Sequence, residues 1–204
     1  MSVVVFGILL LCGCATSNVS KDYALKEDGD VGLVIGSITY DGAYSGYAVS
    51  YHRVPSGGAG YFQSGLSNVV IPYFPVGEFE SMGLSGNLVA TELPAGDYVI
   101  DAWSVGSGAA AVRPTKPFSI SFRVAPGKAT YIGNFHFTQL SNMGLTVTGA
   151  KVDYSDKLER DSAVLKAHYS NLSSVSIASA VKPELYVTGL GGNYRTTINI
   201  LIPY

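Results

Sequence analysis

Charge is what this chain has least of. Asp, Glu, Lys and Arg make up 14% of its 204 residues, against 47% hydrophobic, where an ordinary soluble domain carries about a quarter charged. That excludes an intrinsically disordered chain, which stays unfolded by being polar and charged. The few charges nearly cancel, 13 basic against 15 acidic for a net of -2, and they form no basic stripe for a phosphate backbone. No nucleic-acid partner is expected. Cysteine is scarce, with Cys12 and Cys14 the two present, and there is one Trp and three Met. Glycine and tyrosine are plentiful instead, at 24 and 14, a composition that suits sheets and turns better than helices.

Recognisable catalytic spacings are also missing. His52, His136 and His168 stand far apart, without the close pairing of a zinc motif, so no metal is expected. The nearest approach to a nucleophile elbow, Gly83-Leu84-Ser85-Gly86-Asn87, fails at its last position. Glycines cluster at 57–60 and 189–192, but neither cluster runs into the Lys-Ser/Thr that grips phosphate, and both read as turns. The acids Glu78 with Glu80, and Asp97 with Asp101, lie along single segments and read as solvated neighbours rather than a pair facing across a cleft. No cofactor is expected.

What is present is concentrated at the start. Residues 1–20 contain no charged side chain, and Val3–Leu11 is unbroken apolar sequence. A spanning helix needs about 20 apolar residues, so a run this short reads as the h-region of a signal peptide. The stretch Leu11-Cys12-Gly13-Cys14 resembles the lipobox of bacterial lipoproteins: an aliphatic residue, two small ones, then cysteine. The resemblance implies export, transfer of diacylglycerol to the Cys14 thiol, cleavage before Cys14 and acylation of the new amino group. Membrane lipid, held through Cys14, is then the first partner. Cleavage removes Cys12 and acylation consumes Cys14, which leaves a mature chain with no thiol for a disulfide or a nucleophile. Ala15, Thr16 and Ser17 after the cysteine are not acidic; by the same resemblance this implies passage to the outer membrane of a two-membrane envelope, facing the periplasm or the cell surface.

Three regions are expected: a signal peptide at 1–13, the acylated cysteine and a flexible tether at 14–30, and one folded domain at 31–204. Residues 31–40 and 46–54 read as strands about the turn signal Asp41-Gly42, and 55–87 as a long Gly- and aromatic-rich loop. A hairpin follows, 88–93 and 98–105 about Pro94-Ala95-Gly96-Asp97. Phe118, Ile120, Phe122 and Val124 alternate with polar residues, and Ala129, Tyr131, Gly133, Phe135 and Phe137 do so again after Pro126-Gly127-Lys128. These two apolar faces are expected to share one core near Trp103. One helix is expected near 156–170, capped by Ser155 or Asp156, with Glu159 placed as a capping-box partner of Asp156 and Leu158, Leu165, Tyr169 and Leu172 on one face. Ile198, Ile200, Ile202 and Tyr204 alternate as the closing strand of a membrane barrel does, but the helix, the tether and Pro203 favour a last sandwich strand. The fold class is therefore mainly β: an antiparallel β-sandwich with one helix in its C-terminal half. The turns Pro94, Gly96, Tyr98 and Pro126, Gly127, Lys128, Tyr131, Gly133 resemble those of the prealbumin-like sandwich domains of envelope lipoproteins.

Function is expected to be non-enzymatic, a structural or binding module. The alternative with most in the sequence behind it is a binding surface for an envelope protein or glycan across 40–79, with Tyr40, Tyr44, Tyr47, Tyr51, Tyr61, Phe62, Tyr73 and Phe74 set among Gly and Ser. The same rings also suit a core, since Tyr47 and Tyr51 fall on one face of a strand. A hydrolase with distant catalytic residues is the remaining alternative; converging His and acid groups in a pocket would mark it.

Overall fold

The β-branched and aromatic runs become strands, and the glycine-rich punctuation becomes turns. The structure, a computed structural model, describes residues 14–15, 17–27, 29–55, 57–67 and 77–198. In chain order the strands are β1 (Cys14–Ala15), β2 (Val31–Asp41), β3 (Gly46–Val54), β4 (Ala59–Ser64), β5 (Ser85–Pro94), β6 (Gly96–Ser107) and β7 (Ala110–Pro114). Then come β8 (Ile120–Val124), β9 (Ala129–Met143), β10 (Thr146–Ser155), helix α1 (Leu158–His168), β11 (Ile177–Ser179), β12 (Tyr186–Val187) and β13 (Tyr194–Ile198). The expected β-sandwich with a single α-helix is what these elements build.

One sheet is ordered β1-β4-β3-β6-β7-β13, with β8 on the first half of β6; the other is ordered β12-β10-β9-β2-β5, with β11 on β9. The pairing is mostly antiparallel, but β2 and β9 run parallel through the middle of the second sheet. Between the sheets Tyr40 stacks on Tyr47 at 4.4 Å, Tyr47 meets Phe137 at 5.2 Å, and Trp103 meets Phe137 edge-on at 6.0 Å. Phe122, Phe135, Phe137 and Trp103 are buried in this core, whereas Phe118 and Ile120 at the rim are half-buried.

Two expectations need correction. The alternation through Tyr131 and Phe135 is broken by an irregularity at Ile132–Gly133, where Gly133 has φ +100° and the register with β2 slips between Ile35 and Ser37. A Cβ on Gly133 would stand 2.4 Å from the Tyr154 ring, so only glycine fits. The extra residue turns Tyr131 to the opposite face from Phe135 and Phe137, toward α1. The helix itself starts later than expected: its N-cap is Lys157, and no Asp156–Glu159 capping box forms. Asp156 instead bridges, taking the Leu158 N–H at 3.0 Å and the Glu184 N–H at 3.3 Å.

The stretch read as one long loop holds β4 and a 3-10 turn at Glu80–Met82. The C-terminal alternation is a sandwich strand as far as Ile198, antiparallel to β7; Ile200, Ile202 and Tyr204 lie outside the described residues. No helix among the described residues is long and apolar enough to cross a membrane.

Candidate functional site

The aromatic residues expected as a surface divide by strand parity. Tyr47, Tyr51 and Phe62 point between the sheets with 0%, 5% and 1% exposure, and Tyr40 is buried beside them. These four are core, which corrects the expectation for them. Tyr44 and Tyr61 are half-buried at the margin, and Tyr73 and Phe74 lie outside the described residues. A tyrosine tolerates burial when its hydroxyl finds an acceptor. Tyr47 donates to the Ala43 carbonyl at 2.5 Å, Tyr98 to Pro94 at 2.8 Å and Tyr154 to Ile132 at 3.1 Å. Glycines supply room for the rings: a Cβ on Gly60, directly across from Tyr51, would be 2.6 Å from its hydroxyl. The Gly- and Tyr-rich composition is thus largely core packing.

A second cluster, on the outer face of the second sheet, was not anticipated. Residues Ser37 and Thr39 of β2 and Asn134 and His136 of β9 share that face, and α1 lies over part of it. Asp161, fully buried, takes hydrogen bonds from the hydroxyls of Ser37 at 2.6 Å and Tyr131 at 2.8 Å, and pairs with Arg160 at 2.7 Å. The Asn134 amide donates to Ser37 and Thr39 at 2.9 and 3.0 Å, Thr39 meets His136 Nδ1 at 2.9 Å, and His136 Nε2 meets Asp41 at 3.1 Å. Arg160 also lies over the Phe79 ring. Burial pushes the Asp161 carboxyl above its ordinary range, against the opposing pull of Arg160 and of the donors around it. The sequence did hold a signal: Asp161 is three residues past Leu158 and four before Leu165, in the apolar stripe.

The Asp41–His136–Thr39 sequence has the order of a charge-relay chain, but Thr39 is fully buried and its hydroxyl is engaged on both sides. Among the described residues no buried side-chain polar atom lacks a partner, so the part of the cluster under α1 is satisfied within itself, while His136 and Asp41 reach the surface. Its role is to fasten α1 to the sheet.

The third feature is the N-terminal stretch expected as a flexible tether. Residues 17–27 are instead strapped along the edge of β5. The Val19 N–H reaches the Ala90 carbonyl at 2.7 Å, and the Asn18 side chain pairs with both Leu88 O and Ala90 N, as a neighbouring strand would. Tyr23 bonds Glu92 at 2.7 Å, and Lys21 pairs with Glu78 while lying over the Tyr169 ring at 4.1 Å. Val19, Tyr23 and Leu25 pack on the core, which is why the stretch is held. Cys14 and Ala15 pair in parallel with Gly60 and Tyr61, so the strap closes the open side of the sandwich from β4 to β5.

Beside the strap lies a cleft of about 820 Å³ lined by Asn18, Lys21, Tyr61, Gln63, Glu78, Asn87, His168 and Tyr169. It brings Tyr61 and His168 to one place, but Glu78 is committed: one oxygen to Lys21, the other to the Leu88 N–H at 2.8 Å. His52 faces Asp101 at 3.3 Å on the exposed side of the first sheet, each about half exposed. Among the described residues no group of three or more His, Cys, Asp and Glu is placed to hold a metal ion. Compared with known proteins, the chain matches no family model, no curated protein and no solved structure.

Proposed function

We propose that this chain is a lipid-anchored protein of the bacterial cell envelope, held through Cys14, whose folded body is a non-catalytic structural or binding module. The observation that carries the reading is the charge-free apolar run Val3–Leu11 abutting Leu11-Cys12-Gly13-Cys14. One acyl chain holds a protein only marginally, at about 0.8 kcal/mol per buried methylene, and two or more hold it stably. The closed polar cluster under α1 and the committed Glu78 support a module without chemistry of its own. Ala15 favours delivery to the outer membrane, and the cleft beside Tyr61 offers amide and aromatic groups for an envelope protein or glycan.

Metabolic labelling with a palmitate analogue tests the anchor. Cys12→Ser is expected to be processed and labelled, and Cys14→Ser to be neither; label retained in Cys14→Ser would overturn the reading. Density fractionation tests the destination: wild type bands with the outer membrane, and Ala15→Asp shifts inward.

A further inference from the structure

The sandwich has two unlike ends. Strands β2, β9 and β10 are level at Asp41, Thr138 and Lys151. Beyond that level lie residues 42–46, 64–67, the 3-10 turn with 83–86, 106–110, the β9–β10 turn and Ile198, brought together by the pairings Tyr47–Ser64, Tyr47–Val105, Tyr40–Ser85 and Ile198–Ala110. Among the described residues there, Glu80 is the one charged side chain. Large apolar side chains stand out into solvent at the same end: Leu66, Met82, Leu140, Met143, Leu145 and Ile198, with Leu145 86% exposed. From Thr138 to Ala150 there is no charged residue. The opposite end carries Arg53, Asp97, Arg123, Lys128 and Lys157.

We propose that this apolar end is a lipid-contacting surface that lies in the interface of the bilayer to which the chain is anchored. The apolar residues sit on separate projecting turns rather than around a groove, and the β9–β10 hairpin runs from Thr138 to Met143 past the last pairing with β2. Such a set enters an interface without carrying cations or more than one acid into it, where a buried charge is costly. The choice of a bilayer as occupant rests on the anchoring proposed above and on the near absence of charge at this end.

The test uses the full chain purified from membranes, with Leu145→Cys or, at the other end, Lys128→Cys carrying an environment-sensitive fluorophore, in phosphatidylethanolamine/phosphatidylglycerol vesicles with nitroxide-bearing lipid. The label at 145 is expected to shift blue and to be quenched several-fold more strongly than that at 128; Met143→Cys is expected to repeat the result. Equal quenching at 145 and 128 overturns the proposal. So does a blue shift at 145 that appears without vesicles and grows with protein concentration, which assigns the surface to a second copy of this chain. The mass of the N-terminal peptide, read on the same samples, tells failure of acylation apart from failure of lipid contact.

Discussion

The two sheets solve the same burial problem differently. In the first sheet β6 and β8 alternate, β6 with one break at Asp101–Ala102: Tyr98, Ile100, Trp103, Val105, Phe122 and Val124 face inward, and Asp97, Asp101, Ser121 and Arg123 face outward. In the second, β2 is buried from Gly32 to Tyr40 on both faces, and α1 covers part of the side away from the core, at Ser37. A strand with one wet face needs only alternation. A strand dry on both faces needs every polar group on its covered side answered, and Ser37, Thr39 and Asn134 are answered by one another and by α1. The comparison teaches where a polar substitution should be tolerated and where it should not.

The largest expected effect is at the covered face. Asp161→Ala strands Arg160 and the hydroxyls of Ser37 and Tyr131, and should lower stability by about 3–5 kcal/mol. Chemical denaturation checks it; a loss of under 1 kcal/mol would mean that α1 is not fastened by this residue. Next comes the inward face of the open sheet. Phe122→Ala removes a buried ring stacked on Tyr98 at 5.3 Å and should cost about 3–5 kcal/mol. An unmoved midpoint would place that face of β8 outside.

Acid titration separates two carboxylates of the second sheet and its helix. Asp161 is raised by burial, so the folded state binds the proton more tightly than the unfolded one, and its contribution falls as pH rises from about 4 through the raised value. Asp153 is also opposed by burial, but the Gly189 N–H, Tyr186 and Lys151 outweigh it and hold it low, so its contribution is lost as pH falls below about 4. Subtracting the stability–pH curve of Asp161→Asn from wild type should give a difference that declines with rising pH, and the same subtraction with Asp153→Asn a difference that rises. Curves of the same sign would show that one of these environments is misassigned.

The smallest effect sharpens the contrast most. Ser37→Ala on the covered face should cost about 1–3 kcal/mol, because Asp161 and Asn134 lose a partner in a dry place. His52→Ala, facing Asp101 on the open face, should change stability by less than about 0.5 kcal/mol. Equal costs would erase the distinction between the sheets.

Much of the first sheet was legible, since alternation at β8 and the hairpin β5–β6 shows directly in residue order. β7 was not, because Ala110-Ala111-Val112 has little amphipathic contrast, and β11 and β12 are too short for any period to declare itself. The aromatic cluster misled for a physical reason: Tyr in sequence carries no mark of whether its hydroxyl will meet water or a carbonyl. Asp161 was legible in principle, as an acid within an apolar helical stripe, but its partners come from residues 37 and 131, far away along the chain.

The sequence by itself determined the class of fold, the turns, the helix and the signal-like start, because these depend on neighbours within a few residues. Tertiary structure alone decided which tyrosines are core, how Gly133 turns Tyr131 toward the helix, and that residues 17–27 are a strap rather than a tether. It also decided that six separate parts of the chain, with Glu80 their one charged side chain among the described residues, meet at one end. Each of these depends on contacts between segments tens of residues apart, and local pattern contains no information about which distant group will satisfy a buried polar atom.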